Sequence, residues 1–168
     1  PDDIPAYRLA DKLEDVTLDE DKLLEAATLA LCWSRAWAGG GAHGTVYSVK
    51  PAQVSKTANT GEFVGKGAFI VRGQRQWFKD LDVQIGVGII AVNGVPLLMG
   101  GTPSTVKKIC TRYAILAPGL TKKEQLANKI YKNTGLVTDD ILGVLPGAGQ
   151  IIEDYGIFSA PKTIEEEE

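Results

Sequence analysis

The sequence predicts an α+β fold: a single domain in which a long N-terminal helix and C-terminal helices pack on a mostly antiparallel sheet. Helical spacing of apolar residues follows position 17, a periodicity of two replaces it through the middle of the chain, and helical spacing returns after position 121. At 168 residues and 44% hydrophobic, the chain is long enough for one core and short for two domains.

The first helix is predicted to begin at Thr17 and to end at the glycines of positions 39–41. Thr17 and Glu20 have capping-box spacing, in which each side chain bonds the backbone N–H of the other residue. Apolar residues then share one helical face: Leu23, Leu24, Ala27, Ala30 and Leu31. Trp33 and Trp37, four residues apart, are interpreted as core and boundary residues rather than as partners for a stacked base.

The middle of the chain is predicted to form strands, because β-branched and aromatic residues alternate there with polar ones. Asn93 and Gly94 predict a hairpin, since a type I′ turn needs positive φ at both residues. Ile151 and Ile152 predict a further edge strand. The other predicted strands cover 45–49, 68–72, 81–92, 95–99 and 109–117.

Two C-terminal helices are predicted from their end signals. Thr121 and Glu124 form a second capping box, and Gly135 ends that helix. Thr138 is expected to cap the next helix, which the Pro-Gly pair at 146–147 breaks. The predicted organisation is a lead-in segment at 1–16, the folded domain at 17–158 and a disordered acidic tail at 159–168.

Composition argues against several classes of function. His43 is the sole histidine, and with Cys32 and Cys110 far apart no zinc site can assemble. His43 is interpreted as a loop side chain, and the cysteines as reduced core thiols rather than a disulfide. No catalytic arrangement presents itself, so no enzyme activity, metal or cofactor is expected. No apolar run nears the roughly 18 residues of a membrane span and no leader opens the chain, so a cytoplasmic protein without membrane contact is expected.

Three glycine-containing motifs suggest anion binding. Residues 61–67 resemble a P-loop that is one residue short, and 86–91 match a dinucleotide fingerprint, but neither opens a helix. The third motif places Thr102 as cap and Pro103 at the first position of a short helix, whose free amides form a candidate anion site. The alternative is a tight hairpin exit capped by Thr102. The residues of this candidate site are Gly100, Gly101, Thr102 and Ser104.

The basic segment, residues 50–79, is the most informative part of the chain. Six cations stand there against one carboxylate, Glu62, in a protein of net charge −3: Lys50, Lys56, Lys66, Arg72, Arg75 and Lys79. Glycines and aromatics are interspersed, a mixture typical of surfaces that bind phosphates and stack bases, with Trp77 or Phe78 available for stacking. The alternative is a set of solvated charges scattered over loops.

The sequences of 31–37, 54–63 and 66–75 resemble the NFACT-R domain of NFACT proteins, in the style of the archaeal and eukaryotic nuclear export mediator factor group. The likeness extends over about residues 17–153. It implies an RNA-binding module of a ribosome-associated quality-control factor, a protein that binds the large ribosomal subunit with a stalled peptidyl-tRNA and recruits tRNA. The positions that match the family's motifs are Ser55, Lys56, Thr57, Lys66, Arg72 and Arg75.

The expected partners are therefore tRNA, the large ribosomal subunit and other domains of a longer NFACT-type chain. Because the N-terminal and coiled-coil domains of the family are missing here, the chain is expected to be a fragment or a reduced form. Lys50, Trp77 and Lys79 complete the predicted RNA-binding set. The alternatives are a protein-interaction module whose basic face docks an acidic partner and, third, an enzyme acting on nucleotides.

Overall fold

A computed structural model describes residues 19–160. Five helices and eight strands lie in this part of the chain, with a short 3-10 turn at Pro51–Gln53. The helices are α1 (Glu20–Cys32), α2 (Arg35–Ala38), α3 (Pro103–Ile109), α4 (Lys123–Thr134) and α5 (Thr138–Val144). The strands are β1 (His43–Ser48), β2 (Val54–Ser55), β3 (Ile70–Val71), β4 (Gln76–Asp82), β5 (Ile85–Val92), β6 (Val95–Gly101), β7 (Arg112–Thr121) and β8 (Gly149–Tyr155).

The main sheet has four antiparallel strands in the order β6-β5-β7-β8. Strands β5 and β6 form the predicted hairpin, and both residues of its turn have positive φ, 50° at Asn93 and 77° at Gly94. Strand β8 occupies one edge, as the isoleucines at 151 and 152 predicted. The predicted α+β class is confirmed, because antiparallel sheets and segregated helices make up the described residues.

The two faces of this sheet are covered by different helices. On one face, Ile85 and Val87 of β5 pack with α1, α4 and α5 in the larger hydrophobic cluster. On the other face, Val106 of α3 and Cys110, the residue after that helix, pack with Ile115 of β7. The alternation of strand side chains produces this division, since successive residues point to opposite faces.

Two small antiparallel pairs lie outside the main sheet. Strands β1 and β4 form a ribbon that rests on α1, and β2 pairs with β3. Val46 and Phe78 face each other on the inner side of the ribbon, where Phe78 is only 8% exposed. The loop between β2 and β3 carries residues 56–69, so the ribbon and this loop together present the basic segment.

The predicted long first helix is broken in two. The hydroxyl of Ser34 donates to the carbonyl of Leu31 (2.7 Å) and accepts the N–H of Ala36 (3.1 Å), so it ends α1 and caps α2. Serine competes with the helix for backbone groups, which is why it interrupts an otherwise favourable apolar pattern. Trp37 is buried and Trp33 is half-buried, as predicted for core and boundary residues.

Helix caps also differ from the prediction. Asp19 caps α1 by accepting the N–H of Lys22 (2.9 Å), whereas Thr17 lies outside the described residues. Thr121 is the last residue of β7, and Lys122 precedes α4 without a side-chain cap. Val137, not Thr138, is the cap residue of α5. Gly135 does end α4, with φ 70°.

The observed strand boundaries also differ from the predicted ones. The predicted strand at 81–92 is two strands, β4 and β5, which serve different sheets. At the crossing, Val83 donates its N–H to the carbonyl of Ala42, and the carbonyl of Gln84 accepts from the thiol of Cys32. The strand predicted at 109–117 begins only at Arg112, because α3 continues to Ile109.

Candidate nucleic-acid interface

Gln53 joins the start of the basic segment to residues 72–74, which lie closer to its end. Its side-chain oxygen accepts the N–H of Lys50 (2.8 Å), and its side-chain nitrogen donates to the carbonyls of Arg72 (2.9 Å) and Gln74 (2.7 Å). Its own carbonyl accepts the N–H of Arg72. The side-chain amide of Gln53 therefore holds the backbones of Lys50, Arg72 and Gln74 close together, and Gln74 directly precedes Arg75. Sequence reasoning missed Gln53, since a glutamine in a loop carries no distinctive pattern.

One cation of the segment is held by a carboxylate within the described residues. Nη2 of Arg72 lies 2.6 Å from Oε2 of Glu62, and the same oxygen accepts the N–H of Asn59 (2.9 Å). The pair fixes the loop between β2 and β3 against β3. It also reduces the charge that Arg72 presents to a polyanion, because the guanidinium is already partly neutralised.

Lys56 and Lys66 are exposed on the loop between β2 and β3. Nζ of Lys56 lies 5.1 Å from the centre of the Phe69 ring, within cation–π range. The hydroxyl of Ser55 accepts the N–H of Thr57 (3.0 Å), so these two predicted site residues shape the turn that presents Lys56. Lysine side chains held this way remain open to solvent and to phosphate.

The outer side of the ribbon carries an exposed aromatic pair. Tyr47 and Trp77 are cross-strand partners whose ring centres lie 5.1 Å apart at an interplanar angle of 61°. The guanidinium of Arg75 lies 5.0 Å from the centre of the Tyr47 ring. Tyr47 was absent from the predicted site. The alternation of residues 45–49 could have found it, because Tyr47 points away from the inward-facing Val46.

The end of the ribbon that lies farthest from Arg75 along β4 is acidic, so the positively charged surface does not extend over it. Asp80 and Asp82 are exposed there, and Asp82 lies 2.9 Å from Nδ1 of His43. His43 is the first residue of β1 rather than a loop residue. Positive charge on the ribbon is thus concentrated at the end that carries Arg75, with Lys79 between the aromatic pair and the carboxylates.

The candidate anion site at residues 100–104 holds a carboxylate of the chain itself. Thr102 caps α3 as predicted, accepting the N–H of Thr105 (3.3 Å). Glu25 of α1 accepts hydrogen bonds from the hydroxyls of Thr102 (3.1 Å), Ser104 (3.2 Å) and Thr105. The hydrogen bond from Thr105, with those from Thr102 and Ser104, lowers the pKa of Glu25. An external anion would therefore have to displace Glu25.

The glycines of the dinucleotide-like motif have a packing role. A Cβ added at Gly86 would lie 2.1 Å from Cγ2 of Val106, and one at Gly88 would lie 2.4 Å from Sγ of Cys110. The close approach of α3 to β5 therefore requires glycine at both positions. The motif runs along a strand into the hairpin turn, so it has no helix N-terminus for a pyrophosphate.

Cys32 and Cys110 are buried free thiols, as predicted. Among residues 19–160, no three histidine, cysteine or carboxylate side chains are arranged to hold a metal ion. Within the same residues, no helix is long and apolar enough to cross a bilayer.

Comparison with known proteins gives one family and several relatives. The family model described as NFACT protein RNA binding domain matches residues 7–73. The archaeal Rqc2 homolog aRqcH of Methanocaldococcus jannaschii is 35% identical over 141 residues, 82% of this chain and 21% of that protein. The ribosome quality control complex subunit NEMF of Homo sapiens is 37% identical over 68 residues, 40% of this chain and 6% of that protein. The Drosophila melanogaster NEMF homolog is 35% identical over 68 residues, with 40% of this chain and 7% of its own length covered.

The chain thus spans about a fifth of the archaeal relative. No solved structure matches the chain significantly.

Proposed function

We propose that the basic segment contacts RNA at stalled ribosomes, and that this RNA is tRNA, large-subunit rRNA or both. The premise is that the chain belongs to the NFACT RNA-binding domain family. The module would act in ribosome quality control, the process named for its relatives, within a longer protein of the cytoplasm. Its role is binding rather than catalysis. The RNA-contacting residues are those of the predicted set: Lys50, Ser55, Lys56, Thr57, Lys66, Arg72, Arg75, Trp77 and Lys79.

The observation that carries this proposal is the charge of the basic segment in its folded setting. Six cations and one carboxylate give the segment a formal charge of +5, while the whole chain has −3. Within the described residues, Glu62 engages Arg72, and the lysines at 50, 56, 66 and 79 are exposed. Exposed lysines bind phosphates as mobile point charges and release the counterions of the RNA, which supplies affinity without sequence preference.

A charge-matched pair of variants tests the proposal. The first replaces three exposed lysines of the basic segment: Lys56→Ala, Lys66→Ala and Lys79→Ala. The control replaces three exposed lysines at and along α4: Lys122→Ala, Lys129→Ala and Lys132→Ala. Both variants lose the same net charge, so a difference in affinity for tRNA reports where the RNA binds rather than how acidic the protein is.

The first variant is expected to bind tRNA at least about 10-fold more weakly than the control, measured by fluorescence anisotropy at low salt. Circular dichroism spectra should be the same for both, because all six lysines are exposed. Equal affinities of the two variants would overturn the proposal, since the RNA would then be attracted by net charge alone. Tighter binding to isolated large subunits than to tRNA would assign the contact to rRNA.

A further inference from the structure

The outer face of the β1–β4 ribbon carries two large aromatic side chains that are exposed. Tyr47 is 41% exposed and Trp77 is 52% exposed, although both side chains are large. The inner face of the same ribbon packs the buried Phe78 and the half-buried Val46 against the core, so the aromatic pair on the outer face is not part of that core. Exposed aromatic surface of this kind marks interaction sites.

The geometry of the pair leaves ring surface available. The two rings meet at 61°, an edge-on arrangement in which the rings are not stacked on each other. A flat, polarisable partner can therefore lie against the exposed ring surface of Trp77 or of Tyr47. Amino-acid side chains and nucleobases both have this shape, and the charges around the pair decide between them.

The charged side chains beside the aromatic pair are cations, and their positions suit a phosphate group. The guanidinium of Arg75 lies against the Tyr47 ring, and Lys79 lies two residues beyond Trp77 on the same side of β4. Gln53 holds the backbone just before Arg75 through its bond to the carbonyl of Gln74. A nucleotide joins a stacking base to a phosphate, which matches an aromatic surface flanked by two cations.

We propose that the outer face of the ribbon binds an unpaired nucleotide of RNA, with the base stacked on Trp77 or on Tyr47 and the phosphates at Arg75 and Lys79. This inference rests on the proposed RNA-binding function and specifies that this face binds single-stranded RNA. A base in a duplex already stacks on both neighbours and offers no free face, whereas a base in a loop or single-stranded end does. The carboxylates of Asp80 and Asp82 repel phosphate from the far end, so the strand of RNA leaves toward Arg75.

The test compares the affinities of the unmodified 168-residue protein for three RNA probes of about ten nucleotides. One is single-stranded, the second is the same strand in a duplex, and the third is an abasic strand with an identical backbone. We expect the single strand to bind at least about 5-fold more tightly than the abasic strand and to quench tryptophan fluorescence. Trp33 and Trp37 remain in the Trp77→Leu variant. The part of the quenching that this variant loses is therefore due to Trp77.

Variants then locate the effect. Tyr47→Leu and Trp77→Leu should weaken single-strand binding about 5- to 100-fold and leave abasic binding nearly unchanged. Trp77→Phe, which keeps a ring, should recover most of the affinity. Leucine keeps an apolar side chain at each position of the ribbon, and a thermal melt of each variant checks that it folds.

Two results separate failure of this inference from failure of the proposed function. If the single-stranded and abasic probes bind equally and neither variant changes the affinity, the aromatic face does not stack on RNA, while phosphate binding by the lysines stands. That outcome would leave the face for a protein partner. If no probe binds at low salt, both the RNA-binding function and the stacking site are wrong.

Discussion

Nη2 of Arg72 lies 2.6 Å from Oε2 of Glu62, and this pair joins the loop between β2 and β3 to the residue that directly follows β3. Both side chains are partly exposed, so water screens the pair and its contribution to stability is small. Its effect on RNA binding is larger, because Glu62 is the one carboxylate among the residues of the basic segment.

Replacing Glu62 by glutamine should strengthen RNA binding, since it frees the Arg72 guanidinium for a phosphate. We expect affinity for tRNA to rise several-fold at low salt, and the slope of log K against log salt to steepen by about 0.7 for one added phosphate contact. Fluorescence anisotropy measures both quantities.

Glu124→Gln on the exposed side of α4 is the control for this change, because it removes the same charge far along the chain. An equal gain in the two variants would mean that net charge is responsible. No gain in Glu62→Gln would mean that Arg72 does not reach the RNA.

Gly86→Ala should destabilise the protein by about 1–3 kcal/mol, because the added methyl group would overlap Val106 where α3 crosses β5. Gly143→Ala in α5 is the matched control: nothing lies within 4 Å of its added Cβ, and alanine favours a helix by up to about 1 kcal/mol over glycine. Urea unfolding measures both. A Gly86→Ala protein as stable as the parent would contradict the packing described for α3.

Local signals in the sequence predicted much of the fold. The hairpin at Asn93 and Gly94 and the cap at Thr102 are confirmed, because each depends on backbone geometry that few residues provide. The resemblance in residues 31–37, 54–63 and 66–75 is confirmed by the family match, which spans 7–73.

The errors arose where tertiary contacts override local pattern. The apolar spacing of the first helix continues through Ser34, and nothing local indicates that its hydroxyl will bond Leu31 and Ala36 instead. The alternation from Leu81 onward likewise continues unbroken while the chain passes from the ribbon to the main sheet. Tyr47 was missed because its role depends on pairing with Trp77, thirty positions along the chain.

Glu25 should make stability depend on pH. Hydrogen bonds from Thr105, Thr102 and Ser104 lower its pKa in the folded protein, so the folded state binds a proton less readily than the unfolded chain. This contribution is complete at neutral pH, above the ordinary glutamate pKa, and is lost as the pH falls through the lowered value. Glu25→Gln should therefore cost at most about 1 kcal/mol at neutral pH, because water partly screens this half-buried carboxylate, and progressively less in acid.

Urea unfolding at a series of pH values, from neutral to about pH 3, measures this dependence. Asp154 contributes to both curves: burial raises its pKa, but the hydrogen bonds from Ser159 and from backbone N–H groups together outweigh burial and lower the pKa. The difference between parent and variant isolates Glu25. A difference that stays constant across the series would show that the carboxylate is not held as described.

The cysteines should resist modification in the folded protein. Burial raises the pKa of Cys32 to about 11, and burial also raises that of Cys110. The reactive thiolate is therefore scarce at neutral pH, and both cysteines are buried. A thiol-reactive dye should label neither cysteine in buffer and both in denaturant. Rapid labelling of the native protein would contradict the burial of these thiols.

The most direct measurement of the central claim, that the basic segment binds RNA through its phosphates, is a salt titration of tRNA binding by fluorescence anisotropy. If about four phosphates are contacted, with a slope of roughly 0.7 for each, affinity should fall on the order of 50-fold between about 50 and 200 mM salt. An affinity that does not change over this range would contradict the claim.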